Sequence, residues 1–288
     1  MIANKVAIVS DTTACIPQEM VQKYGIEIVP VVFIFEDKSY RDGVDMTTAE
    51  FYSRLRVAKK LPTTSVSVPD SYLSAYRKVS EKAGNILCIT LPAKLSGMYN
   101  SARLAMEMAK ESLPNVNISL LDCGTAAAAQ GLVVLAAAKA AADGKTLDEV
   151  VEVARSVMKR VMLLAALDTL HYLVKGGRVP KAAALASLIL QIKPIFTVND
   201  GVARPVTNAR TMPGAMKRIL QLMEGKVANR PPLHVAVMHA DALDRAKEME
   251  AEISRRFNCV ELFITEFTPV MGVHTGPGVI GVSFYAEE

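Results

Sequence analysis

The chain has 288 residues, 51% apolar and 22% charged, which is enough for two compact domains with their own cores and too apolar for a disordered polypeptide. A formal net charge of +4, no Trp and 6% aromatics leave no basic patch interleaved with aromatic residues, so no nucleic-acid partner is expected. Cys15, Cys88, Cys123 and Cys259 form no C-x-x-C pair and three lie in or beside apolar runs, so they are expected to be reduced, buried thiols of a cytoplasmic protein.

Near the start, VAIVS reads as a first strand rather than a signal peptide. A helix over 17–24 closed by Gly25 follows, then IEIVPVVFIF as a strand, a helix opened by the capping pattern Thr47 to Glu50, and a helix over 67–82. The strand NILCITL leads into a helix after Ser96, and the strand ISLLDC leads into an Ala-rich helix over 126–142. The box Thr146 to Glu149 opens the next helix. The Ala-rich window is interrupted by Gln130 and Lys139 and falls short of the ~20 residues a bilayer requires, so no integral membrane segment is expected. Continuous apolar strands alternating with helices predict a parallel sheet covered on both faces.

After about Val161 the pattern changes. QIKPIFTVNDGVARPVTNA reads as two strands joined at Asn199, Asp200 and Gly201, a hairpin signal. HVAVMHA, VELFITEF and VIGVSFYA, with helices over 212–223 and 241–257, extend this to a mixed sheet. The expected fold is α/β, with an N-terminal parallel-sheet domain over 1–160, a C-terminal mixed-sheet α/β domain over 161–288, and a ligand cleft between them.

GPGVIG matches the dinucleotide fingerprint, but only seven residues follow it and they read as a strand, so no nicotinamide or flavin site is expected. His234 and His239 point to opposite faces of a strand with no ligand spacing around them, and no metal is expected. Ser96 at a strand-to-helix joint has two readings: an N-cap, or part of an anion site that Gly97 keeps sterically open at a helix N-terminus. LPTTSVSVP places four hydroxyls before another helix, either a second anion-friendly turn or an ordinary cap at Ser67. MGVHTGPG sets His274 in a glycine-rich loop, as a structural residue or a functional one. Ser96, His274 and an Asp could form a hydrolase triad, although the G-x-S-x-G elbow is missing because Lys94 stands at its first glycine. G-x-x-x-x-G-K-[ST] is absent, so any nucleotide chemistry would need a partner.

VSDTTACIP, YRDGVDMT, PTTS, LSGMYNSA, DTLHYLVKGGR, IKPIFTVNDG, NART and HTGPGVIG occur in an order and spacing that resemble the DegV family of bacterial fatty-acid-binding proteins. The resemblance implies a two-domain α/β fold and no cofactor or catalytic residue of the protein's own. One bound long-chain fatty acid, such as palmitate or stearate, would have its carboxylate at Ser96 and Thr64, beside Ser65, Gly97 and His274. It further implies presentation of that acid to a fatty acid kinase for acyl-phosphate formation. Arg210 and Thr275 would then lie near the head group, His274 and Arg210 would assist transfer, and Arg178 would face the partner. This chain departs from the family at Val66 and Ser67, where Gln-Pro is usual, and at Cys123, where Ser is usual. The rival reading from the residues alone is a serine esterase or acyl hydrolase using Ser96 and His274.

Overall fold

The computed structural model describes residues 5–177, 192–227 and 231–287. Its first sheet is wholly parallel, in the order β2 (Glu27–Val29), β1 (Val6–Asp11), β6 (Asn85–Thr90), β7 (Asn117–Asp122). A second sheet is mixed and runs β10 (Val202–Ala209), β9 (Lys193–Asn199), β8 (Met162–Ala166), β13 (Ile280–Ala286), β11 (Leu233–His239), β12 (Cys259–Glu266). The β9–β10 hairpin forms as expected, with Asp200 and Gly201 both at positive φ in its two-residue turn.

One expected strand is broken. IEIVPVVFIF enters the parallel sheet as β2 and then, after Pro30 and Val31, joins a separate antiparallel sheet as β3 (Val32–Phe35), between β4 (Lys38–Arg41) and β5 (Thr63–Ser65). Proline cannot donate to a ladder, so the run is cut where Pro30 falls.

Strand alternation sorts the apolar side chains into three layers of core. Ile86 and Cys88 of β6 pack with Val9 under α3 (Pro69–Ser80) and α4 (Met98–Ser112), while Leu87 and Ile89 face the other way. In the mixed sheet, Leu164, Val235 and Val282 face α8 (Met212–Glu224) and α9 (Leu243–Arg256), whereas Leu163, Ala236 and Met238 turn toward the parallel sheet. Between the two sheets lies α5 (Ala128–Ala142), which packs on β1 and β6 on one side and on β8, β11 and β13 on the other. A helix covered by sheets on two sides must be apolar nearly all round, which accounts for its Ala-rich sequence. α6 (Leu147–Arg160), opened by the full Thr146/Glu149 capping box, closes the first half of the chain. No described helix is long and apolar enough to cross a membrane.

Candidate functional site

β1 and β6 are neighbours from which the sheet continues in opposite directions, to β2 and to β7. The crevice beyond the carboxyl ends of such a pair is where open α/β sheets hold ligands. β1 ends at Asp11, which is fully buried. Its Oδ1 accepts from Thr13 N at 3.0 Å and meets the Thr13 hydroxyl, and its Oδ2 accepts from Leu91 N at 3.0 Å. The loop after β6 is thus pinned to the 3₁₀ turn Thr12–Ala14 after β1. Thr13 Oγ1 also lies 3.0 Å from Gln130 Oε1, and Gln130 Nε2 donates to Ser10 Oγ, so Gln130 of α5 completes a buried polar seam. Burial raises the Asp11 pKa, against the opposing pull of these hydrogen bonds.

From Leu91 the chain turns tightly, with Leu95 N and Ser96 N both donating to Pro92 O, and enters α4. The N-cap of α4 is Gly97, one residue later than expected, and it makes no side-chain cap bond. Ser96 Oγ accepts a long 3.4 Å hydrogen bond from Met98 N. A Cβ at Gly97 would come within 3.1 Å of a Val66 methyl, so the glycine permits a close approach of this loop to the chain after β5.

The TTS segment is a strand, not a turn. Thr63–Ser65 forms β5, with Thr64 opposite Phe33. Nor is Ser67 a cap: its hydroxyl donates to Pro30 O at 2.7 Å, and Val68 stands at the N-cap of α3. His274 likewise belongs to a helix rather than a loop. It sits in the last turn of α10 (Pro269–Thr275), which has Thr268 at its N-cap, proline in its first turn, and Gly276 at positive φ after it. His274 Nε2 is 3.1 Å from Thr64 Oγ1, bridging 210 residues of sequence, and Thr275 Oγ1 donates to Met271 O within α10.

These segments meet around a cavity of about 400 Å³. Thr64, Ser65, Ser96, Gly97, His274 and Thr275 all line it, together with the apolar Leu91, Ala126, Leu173, Val198, Ala203, Val270 and Met271. Residues from both sides of the 160/161 boundary contribute. Six of the eight site residues expected from the sequence therefore share one wall-to-wall space. Arg210 is not among them. It is exposed just past the end of β10. Arg178 lies outside the described residues.

Asp11, Asp42, Thr13 and the hairpin residues Val198 and Ala203 join the site without having been expected there. Both aspartates stand in the VSDTTACIP and YRDGVDMT motifs; Asp11 ends an apolar strand run, which was a signal for it, whereas Asp42 is buried among mostly exposed neighbours and no local pattern marks it.

A larger cleft, about 640 Å³, opens beyond β8, β11 and β12, but Asp168, Asp241, Glu266 and the Arg56–Asp241 ion pair make it unsuited to an alkyl chain. His234 is held between Glu261 and Glu287, and no cluster among the described residues could hold a metal ion. Burial pushes the Cys15, Cys88 and Cys123 thiols up to about 12, while Cys259, expected to be buried, is half-exposed on β12.

A family model described as the uncharacterised DegV family matches residues 5–287. A DegV domain-containing protein of Clostridium perfringens is 33% identical over 282 residues, covering 98% of this chain and 99% of that one. Among solved structures, a fatty-acid-binding DegV protein from Thermus thermophilus is 26% identical with a TM-score of 0.90, covering 98% of this chain and all of the other. A stearic-acid-binding protein from Eubacterium ventriosum is 27% identical with a TM-score of 0.90, covering 98% of each chain. In sequence and in fold, the chain belongs to the DegV family.

Proposed function

We propose that this protein is a non-catalytic carrier, acting in the cytoplasm, that binds one long-chain fatty acid between its 1–160 and 161–288 domains. The carboxylate lies at Ser96 and Thr64, with Ser65, Gly97, His274 and Thr275 around it, and the tail fills the apolar part of the cavity. The observation that carries this reading is the meeting of that hydroxyl and imidazole set with an apolar lining in one cavity, whose volume falls in the ~300–1,000 Å³ range of small-molecule sites. The fatty-acid-binding structures from Thermus thermophilus and Eubacterium ventriosum support it.

The energetics divide between tail and head. Burying a sixteen-carbon tail at about 0.8 kcal/mol per methylene gives an upper bound of about 11 kcal/mol before ordering costs. A buried carboxylate costs several kcal/mol unless hydrogen-bonded, so the hydroxyls chiefly remove a penalty and fix orientation. An esterase would need its base against the nucleophile. Here the hydrogen bond seen at His274 Nε2 goes to Thr64, while Met98 N engages the Ser96 oxygen, an arrangement that favours holding an anion over activating a serine.

In this reading the bound acid is presented to a fatty acid kinase that makes the acyl phosphate, with His274 near the group whose charge develops. Arg210, exposed and not among the residues that line the cavity, is better placed to meet such a partner than to touch the head group.

Solvent extraction of the recombinant protein, followed by mass spectrometry, tests the carrier reading. A stoichiometric fatty acid is expected; a protein that carries none and takes up none when offered stearic acid refutes it. Supplying kinase and ATP separates the finer claim: per molecule of acid bound, the His274→Ala variant yields far less acyl phosphate than wild type.

A further inference from the structure

Asp42 follows β4 and is fully buried, with its own N–H donating to Val31 O at 2.8 Å. Its Oδ1 accepts from Val270 N at 3.4 Å, in the first turn of α10, 228 residues away. Thr268, the N-cap of α10, makes no side-chain bond to its own helix; its hydroxyl instead donates to Thr12 O. A short helix exposes unpaired N–H groups at its start, and here a carboxylate from another part of the chain supplies the acceptor that the local cap does not.

The same helix is seated by Tyr52, whose hydroxyl donates to Phe267 O at 3.0 Å. At its other end it carries His274 onto Thr64. Asp42 does not itself line the cavity that holds Ser96, but it accepts from Val270, which does, and so fixes the start of the element that brings the imidazole there.

Resting on the carboxylate site proposed above, we infer that Asp42 is a positioning residue for the head group, setting His274 against Thr64 by capping α10 from the three-stranded sheet. Its Oδ2 has no hydrogen-bond partner among the described residues, an expensive state for a buried carboxylate oxygen. Burial is also the main reason that the carboxyl titrates high, at about 6, with the Thr12 and Thr268 hydroxyls pulling the other way and Asp11 adding to the rise.

The test compares stearic acid with methyl stearate, which shares the tail and lacks the charge, on the full-length protein. Wild type prefers the acid. Asp42→Leu, which fills the volume without an acceptor, loses about tenfold of that preference while methyl stearate binds as before. Asp42→Asn keeps an acceptor oxygen and stays within about threefold of wild type. If Asp42→Leu weakens acid and ester alike, or binds neither, Asp42 is merely structural and the inference fails. It fails equally if Asp42→Asn loses as much preference as Asp42→Leu. A wild type that holds acid and ester equally overturns the carboxylate site itself, an outcome distinct from either of these.

Discussion

The two walls of the head-group site rest on two buried aspartates that behave differently. Asp11 lies at the end of a parallel strand and spends both oxygens on neighbouring segments, Thr13 and Leu91, so the Ser96 loop is held from within the parallel sheet. Asp42 reaches across to Val270 and leaves Oδ2 unpaired, so the His274 wall is held by a contact between distant parts of the chain. The Ser96 wall is therefore held by contacts between neighbouring strands of one sheet, even though Leu91 is 80 residues from Asp11 in sequence. The His274 wall depends on tertiary packing, and changes beneath it should be felt more.

The largest effect is expected at Asp42. Its pKa is near 6 in the fold against an ordinary value near 3.8, so the folded chain retains this proton over a range where the unfolded chain has lost it. The sign follows: this group's contribution to stability is greatest below about pH 4 and declines as pH rises to about 6, by on the order of 3 kcal/mol. Asp42→Asn removes that decline. Denaturant unfolding at pH 4.5 and 7.5 should show the variant gaining on wild type at the higher pH, and equal pH slopes for the two proteins would rule the buried charge out.

Next comes Gly272, in the middle of α10. A Cβ there would meet Phe51 Cε1 and the Tyr52 hydroxyl at 2.7 Å, and both rings are buried with no room to withdraw. Gly272→Ala should cost about 1–3 kcal/mol, read as a lower Tm. The matched change on the other wall is smaller. Gly97→Ala meets only the Val66 methyls, at 3.1 and 3.3 Å, and Val66 is 42% exposed and can turn aside, so about 0.5 kcal/mol or less is expected. Equal Tm losses for the two alanines would erase the contrast between the walls.

The same contrast governs what could be read from the sequence. The strand-loop-helix wall was legible: NILCITL, the Ser96 joint and the helix after it follow from apolar periodicity and a turn, with an error of one residue in the cap. The Thr146/Glu149 box and the Asp200-Gly201 hairpin were equally plain, because capping and turn chemistry are local. The other wall was not. TTS became a strand only because Phe33 and its neighbours offered an open edge, and MGVHTGPG became a helix end although its glycines suggested a loop. The Thr-Pro start at Thr268 was the missed cue. That Thr64 and His274 meet at all is a property of packing that no local pattern encodes.

The carboxylate site is tested by titrating stearic acid against wild type and the Thr64→Val/Ser96→Ala double variant, with methyl stearate as the control for the tail. Each lost hydrogen bond to a desolvated charge is worth roughly 1–3 kcal/mol, so a grip on the acid at least about tenfold weaker is expected, with an unchanged affinity for the ester. A double variant that holds stearic acid as tightly as wild type would contradict it.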